Sequence, residues 1–245
     1  MSSTTALSKF SDPHYSYLSK LDWAELIRKE DLRRAQNKHA SYFPDTGPYR
    51  RELYAKHIDH FRAGAECNER LLMAANRVGK SDAGAYETVC HLTGSYPHWW
   101  EGKRFGRPIK AWACSDTNKT AAAVLQDKLL GPLSAPGTGF IPAAAIVHRT
   151  SKAGLAEAID TVYVKHAAGG HSSVQIKSYQ EGRESFQGAA IDFVWLDESP
   201  GMSIYAECLL RTMTCDGQVI VTMTPLGGLD ELVLSFLPEG LPPGC

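Results

Sequence analysis

The chain has 245 residues, with 26 lysines and arginines against 27 aspartates and glutamates, a formal net charge of -1, and 43% hydrophobic and 22% charged residues. That balance excludes wholesale disorder and bulk attraction to polyanions, so any nucleic-acid contact must use a local basic face. Six scattered cysteines form no C-x-x-C pair or Cys/His cluster, and neither a signal-peptide layout nor a run of about 20 apolar residues occurs. The expectation is a soluble intracellular protein with free thiols and one large core.

Residues 1–20 are rich in Ser and Thr and read as loosely held. From Asp22, a possible helix cap, Trp23, Leu26, Ile27 and Ala35 recur at near-helical spacing among charges, predicting an exposed helix with one apolar stripe. Its basic residues Arg28, Lys29, Arg33, Arg34 and Lys38 read as a solvated face in preference to a phosphate contact. Residues 41–48, SYFPDTGP, form a turn-rich break, which divides the chain into an N-terminal helical or lid segment, 1–48, and a main domain, 49–245. Next, Leu53, His57 and Phe61 stand four apart beside Tyr54 and Ile58, as in a helix packed under the loop that follows. Tyr49 and Arg50 lie where an adenine base could stack, or simply pack.

Residues 71–81, LLMAANRVGKS, are the stretch around which the chain is organised. An apolar run able to form a buried strand leads into a short loop (Ala75, Asn76, Arg77, Val78), then Gly79-Lys80-Ser81, then a helical composition over 82–92. Strand, loop and helix in that order bind triphosphate: backbone N–H groups and a helix N-terminus converge on the anion, Lys80 adds a charge, and Ser81 can ligate magnesium. The usual leading glycine is replaced by Ala74, so the loop is a variant.

Residues 96–110, YPHWWEGKRFGRPIK, interleave aromatics with bases, a pattern open to nucleic-acid tracking or to core packing. A strand at 109–114 precedes a helix from about 116 to 130, capped by Asp116 or Thr117, and a Pro/Gly-rich loop. Residues 161–166 and 174–179 alternate around Gly169-Gly170, as in a hairpin or an antiparallel extension of the sheet. Residues 193–198, FVWLDE, place four apolar residues before two carboxylates, the signature of a strand buried in a parallel sheet with its functional end at the C-terminus. Asp197 suits the magnesium shell and Glu198 the abstraction of a proton from attacking water. A further strand, QVIVTMTP, ends in Thr222 and Thr224, hydroxyls able to sense a γ-phosphate or merely to cap the strand end. Together these features predict an α/β P-loop NTPase with a mainly parallel central sheet flanked by helices, plus a small N-terminal helical segment.

The arginine-bearing loop AANRVGKS, the strand ending Asp197-Glu198 and the stretch TMTPLGG at 222–228 resemble the large terminase subunit of tailed bacteriophages, over roughly residues 49–240. The resemblance implies an ATPase that uses ATP and Mg2+ to drive double-stranded DNA into a procapsid in the host cytoplasm. It implies the portal ring, the small terminase subunit and copies of itself as partners, in a five-membered ring on the procapsid or as a monomer in solution. Arg77 would act in cis as a sensor or finger, and Thr222 and Thr224 would couple hydrolysis to movement. A second arginine from a neighbouring subunit is expected shortly before the Asp-Glu strand; Arg183, 15 residues before Glu198, is the candidate, and a surface arginine is its alternative. The family's nuclease domain is absent from 49–245, so ATPase activity without DNA cleavage is expected, either from a part of a longer protein or with the nuclease on another chain. Rival readings are a helicase-like or repair translocase, and a nucleotide-gated assembly module with little turnover.

Overall fold

A computed structural model describes residues 20–47, 49–132, 134–155, 157–225, 228 and 230–237. The expectations for residues 1–19, Leu226, Gly227 and the linker-like end at 242–245 fall outside the described residues. Helix α1 (Lys20–Ala35) and the short α2 (Lys38–Ser41) lead through a 3-10 turn to α3 (Ala55–Ala63). The seven-stranded sheet follows, in the order β1 (Glu69–Met73), β7 (Gln218–Met223), β6 (Phe193–Asp197), β2 (Lys110–Ser115), β5 (His171–Ser178), β4 (Ile159–Lys165) and β3 (Ile146–Ser151). From β1 to β5 every neighbouring pair is parallel, and β4 and β3 extend the sheet antiparallel through the hairpin foreseen around Gly169-Gly170.

Helices cover both faces, which is why residues 193–196 of β6, 219–221 of β7 and 111–114 of β2 are continuous apolar runs. Helix α4 (Lys80–Thr93) packs on one face with Phe193, Trp195, Ile220 and Ala113, while α7 (Met202–Met213) packs on the other with Val194, Leu196, Val221 and Cys114. All five residues of β6 are buried. Register then sets the site: Met73 lies opposite Met223, and Asp197 opposite Thr222, so the carboxyl ends of β1, β7 and β6 finish on one edge.

Several expectations need correction. The strand before the phosphate loop is not buried on both sides: it is the sheet's outer strand, with Leu71 and Leu72 half-buried and Met73 exposed, because among the described residues only β7 pairs with it. Helix 116–130 divides into α5 (Asn118–Thr120), a π-helical segment (Ala121–Gln126) and α6 (Asp127–Leu130), and Thr117 is its cap, accepting the Thr120 N–H at 3.0 Å. The aromatic and basic stretch takes part in packing and ion pairs. Trp100 and Phe105 are buried, Lys103 pairs with Asp216, Arg107 with Asp192, and Arg104 donates to the Trp100 carbonyl. On α1, Leu26, Ile27 and Leu32 are all exposed, and Lys29, Arg33 and Arg34 pair with Glu25 and Glu30 as a solvated face would. Lys38 leaves that face to sit 4.1 Å over the Phe140 ring and 3.7 Å from Asp82.

A polar knot is buried under α4. Arg70 on β1 donates to both oxygens of Glu87, at 2.7 and 3.2 Å, and to Gln218 on β7 at 2.9 Å, while His91 lies 3.4 Å from the same carboxylate. Burial would raise the Glu87 pKa, but Arg70 together with His91 and His60 holds it well below the usual range. The knot ties the phosphate-loop strand, its helix and the neighbouring strand into one rigid piece.

Candidate nucleotide site

Between β1 and α4 the chain turns over residues 74–79. The Ala74 N–H still bonds the Met223 carbonyl, at 3.3 Å, and extends the ladder. Its backbone therefore stays extended and needs no glycine. The turn falls later, with Arg77 at φ 63° and Gly79 at φ 87° in the left-handed region. Gly79 meets that conformation at no cost, whereas Arg77 is strained there, as residues at ligand sites often are. Ala75, Asn76, Arg77 and Val78 are exposed, and the Arg77 side chain makes no hydrogen bond to the described residues. Lys80 is buried at the start of α4, its Nζ donating to the Ala75 carbonyl at 2.9 Å across the loop.

The two sequence motifs meet at Asp197. Ser81 Oγ donates to Asp197 Oδ1 at 2.8 Å, and Thr222 Oγ1 donates to the same oxygen at 2.7 Å. Asp197 is only 4% exposed and forms no ion pair among the described residues; burial pushes its pKa up to about 6, against the two hydroxyl bonds and the nearby Lys80 charge that lower it. Glu198 follows at φ 66°, with its N–H on the Thr222 carbonyl at 2.8 Å and its Oε2 accepting the Thr224 N–H at 3.1 Å. Thr224 Oγ1 in turn donates to Asn76 Oδ1 at 2.9 Å. Thr224 thus touches both the phosphate loop and the carboxylate expected to act as base.

Four residues that hold this arrangement escaped the sequence reading. Trp195, one of the apolar residues of β6, donates Nε1 to Thr222 Oγ1 at 2.8 Å and so orients the hydroxyl that binds Asp197. It fits only because Gly84 faces it: a Cβ there would stand 2.2 Å from the indole nitrogen. Tyr179 donates its hydroxyl to the carbonyls of Asp197 and Glu198 at 3.2 and 3.0 Å. His57, expected only to pack, reaches the loop: its Nε2 would stand 3.6 Å from a Cβ on Gly79, and burial keeps its pKa low against the raising influence of the Val78 and Gly79 backbone. A tryptophan in the middle of an apolar strand, with a glycine inside the facing helix, was the available signal for the Trp195–Gly84 contact; nothing in the sequence marks Tyr179.

A cavity of about 950 Å3 adjoins the loop, lined by Tyr54, His57, Met73, Val78, Lys80 and Phe236 among others. Tyr49 and Arg50 do not line it: Tyr49 is 68% exposed, and Arg50 pairs with Glu52. Arg183 lies apart from the loop. Its Nε donates to Glu207 on α7 at 3.0 Å, on the face of the sheet opposite α4. As to metal, a hydroxyl and a carboxylate oxygen in contact are the hard donors that magnesium takes beside substrate phosphates.

A strand, a Gly-Lys-Ser loop at a helix N-terminus, and a strand once removed whose terminal aspartate bonds the loop serine define a P-loop nucleotide-binding protein of α/β class. The sequence model of the family described as terminase large subunit, T4likevirus-type, N-terminal, matches residues 71–237, and the chain belongs to that family. It is 35% identical over 238 residues to the large terminase subunit of Salmonella phage P22, the match covering 89% of this chain and 46% of that protein, so the chain spans about half the length of this curated relative. Among solved structures, an arginine-to-alanine variant of the large terminase ATPase domain of Thermus phage P74-26 is similar at a TM-score of 0.50 and 18% identity over 78% of each chain, a likeness of fold.

Proposed function

We propose that the chain is the ATP-hydrolysing motor domain of a phage DNA-packaging terminase. The observation that carries the reading is the bond between Ser81 and Asp197, 116 positions apart in the chain, made at the N-terminus of α4 beside a buried lysine. Gly79, Lys80 and the backbone from Ala75 to Val78 bind the triphosphate, and the cavity beside Tyr54 and Val78 takes the base and ribose. Ser81 and Asp197 hold Mg2+, which when bound neutralises phosphate charge. Glu198 accepts the proton of the attacking water, and its tether to the Thr224 N–H fixes the carboxylate before substrate arrives. Arg77 approaches the γ-phosphate from within the loop; its side chain is exposed and makes no hydrogen bond to the described residues. Arg183, facing away on the α7 side, serves the site of a neighbouring copy.

Loss of the γ-phosphate changes the hydrogen-bonding demands on Asn76 and Glu198, both bound to Thr224, and Thr222 is bound to Asp197. Thr222 and Thr224 would pass that change to a surface that grips double-stranded DNA. The portal ring, the small terminase subunit and further copies of the chain complete the motor, on a procapsid in the host cytoplasm. Residues 1–48 form a lid segment and 49–245 the ATPase domain, with no DNA cleavage expected from these residues. The test is phosphate release, and procapsid-dependent protection of DNA from added nuclease, by wild type and Lys80→Ala. Both activities should vanish in the variant. Normal hydrolysis by Lys80→Ala would remove the site, and hydrolysis without DNA protection would remove the motor.

A further inference from the structure

Glu207 lies midway along α7 and is 2% exposed, yet it meets two arginines. Arg211, one turn on, donates Nη2 to Oε1 at 2.9 Å, and Arg183 donates Nε to Oε2 at 3.0 Å. One arginine suffices to balance a carboxylate. The second leaves the trio with a net positive charge, and that charge sits on the outer member: the Arg183 side chain is 55% exposed, against 27% for Arg211.

Among the described residues Arg183 is engaged through Nε alone, which leaves both terminal nitrogens of this half-exposed side chain available as the fork that grips two oxygens of a phosphate. The turn that carries it is rigid at its base. Phe186 is fully buried and packs edge-on against Trp112 at 5.5 Å, and Tyr179, just upstream, is bonded to the carbonyls of Asp197 and Glu198. A long side chain on such a turn would still sample many rotamers. Glu207 selects one, and its burial keeps the carboxylate from moving.

We propose that Glu207 is a positioning residue that presents the Arg183 guanidinium, with its terminal nitrogens outward, to the triphosphate bound by a second copy of the chain. The inference rests on the reading of Arg183 given above and extends it to the group that aims it. Presentation without a clamp would cost rotamer entropy and alignment at each turnover, and misplacement by about 1 Å can cost about 100-fold in rate.

The experiment is subunit complementation, at concentrations where wild-type turnover per chain has reached its plateau. Lys80→Ala supplies an arginine without a working site, and Arg183→Ala a site without the arginine; each is inert alone, and the mixture should regain turnover. Adding Glu207→Gln to the Lys80→Ala chain should lower the regained kcat about 10- to 100-fold with KM for ATP unchanged. Adding it to the Arg183→Ala chain should leave the regained turnover intact, because that chain's own arginine is already gone. If mixing restores nothing, Arg183 does not act between copies, and both readings fall. Should mixing restore turnover while Glu207→Gln is harmless in the Lys80→Ala chain, the positioning role alone is overturned. Equal loss on both sides would make Glu207 a structural residue and overturn it as well.

Discussion

Two carboxylates are buried against helix α4, on opposite terms. Glu87, midway along the helix, has Arg70 as a resident cation and two histidines beside it, and its pKa is depressed. Asp197, facing the helix N-terminus, is hydrogen-bonded by the hydroxyls of Ser81 and Thr222 but forms no ion pair among the described residues, and burial raises its pKa despite the nearby Lys80 charge. The first arrangement is complete within the chain and serves the fold. In the second, a charge is kept at the expense of stability where a substrate cation can meet it, as expected of a functional group.

The contrast can be broken at either end. Glu87→Gln should cost the most, about 3–5 kcal/mol in denaturant unfolding, because Arg70 is left buried without its counter-ion. The sign of its pH dependence follows: a carboxylate depressed in the folded state stabilises above its free value of 4.5 and loses that contribution as pH falls toward about 2. Wild type and Glu87→Gln should therefore converge in stability across that window. Parallel curves would show that the ion pair is not what holds the knot.

Asp197→Asn should act in the other direction. A carboxylate raised to about 6 binds its proton more tightly when folded, so ionisation at pH 7 weakens the fold. The amide keeps an oxygen for Ser81 and Thr222, and the nucleotide-free, metal-free variant should gain about 1–3 kcal/mol at pH 7 while losing turnover. A destabilised variant would mean that the ionised form is better compensated than its surroundings suggest. The smallest effect belongs to Trp195→Phe. Losing the bond to Thr222 should cost about 1 kcal/mol in thermal unfolding, and turnover should fall more than stability if the indole aims the Thr222 hydroxyl.

The sequence made these two regions unequally legible. Asp197 and Ser81 stood out because their chemistry is packed into contiguous runs, an apolar strand ending in Asp-Glu and a Gly-Lys-Ser loop, whose roles depend on local order. Arg70 and Glu87 gave no signal, since a charged residue at the start of a strand and another in a helix look like solvated positions until the fold brings them together. The same holds for Tyr179 and Glu207, each defined by a partner from a distant segment. Strand β1 misled in a different way: an apolar run reports affinity for a core, and only topology reveals that it closes one side of the sheet. Strand β3 was unread because a bulge between Ile146 and His148 breaks its alternation.

The central claim is that the Asp197 end of this comparison is a site of ATP hydrolysis with Glu198 as its base. It is tested most directly by following one ATP-bound sample of Glu198→Gln through both binding and turnover. The account predicts that a fluorescent ATP analogue still binds with Mg2+, because Lys80, Ser81 and Asp197 are intact, while phosphate release falls about 100- to 10,000-fold. Binding together with undiminished phosphate release would contradict it.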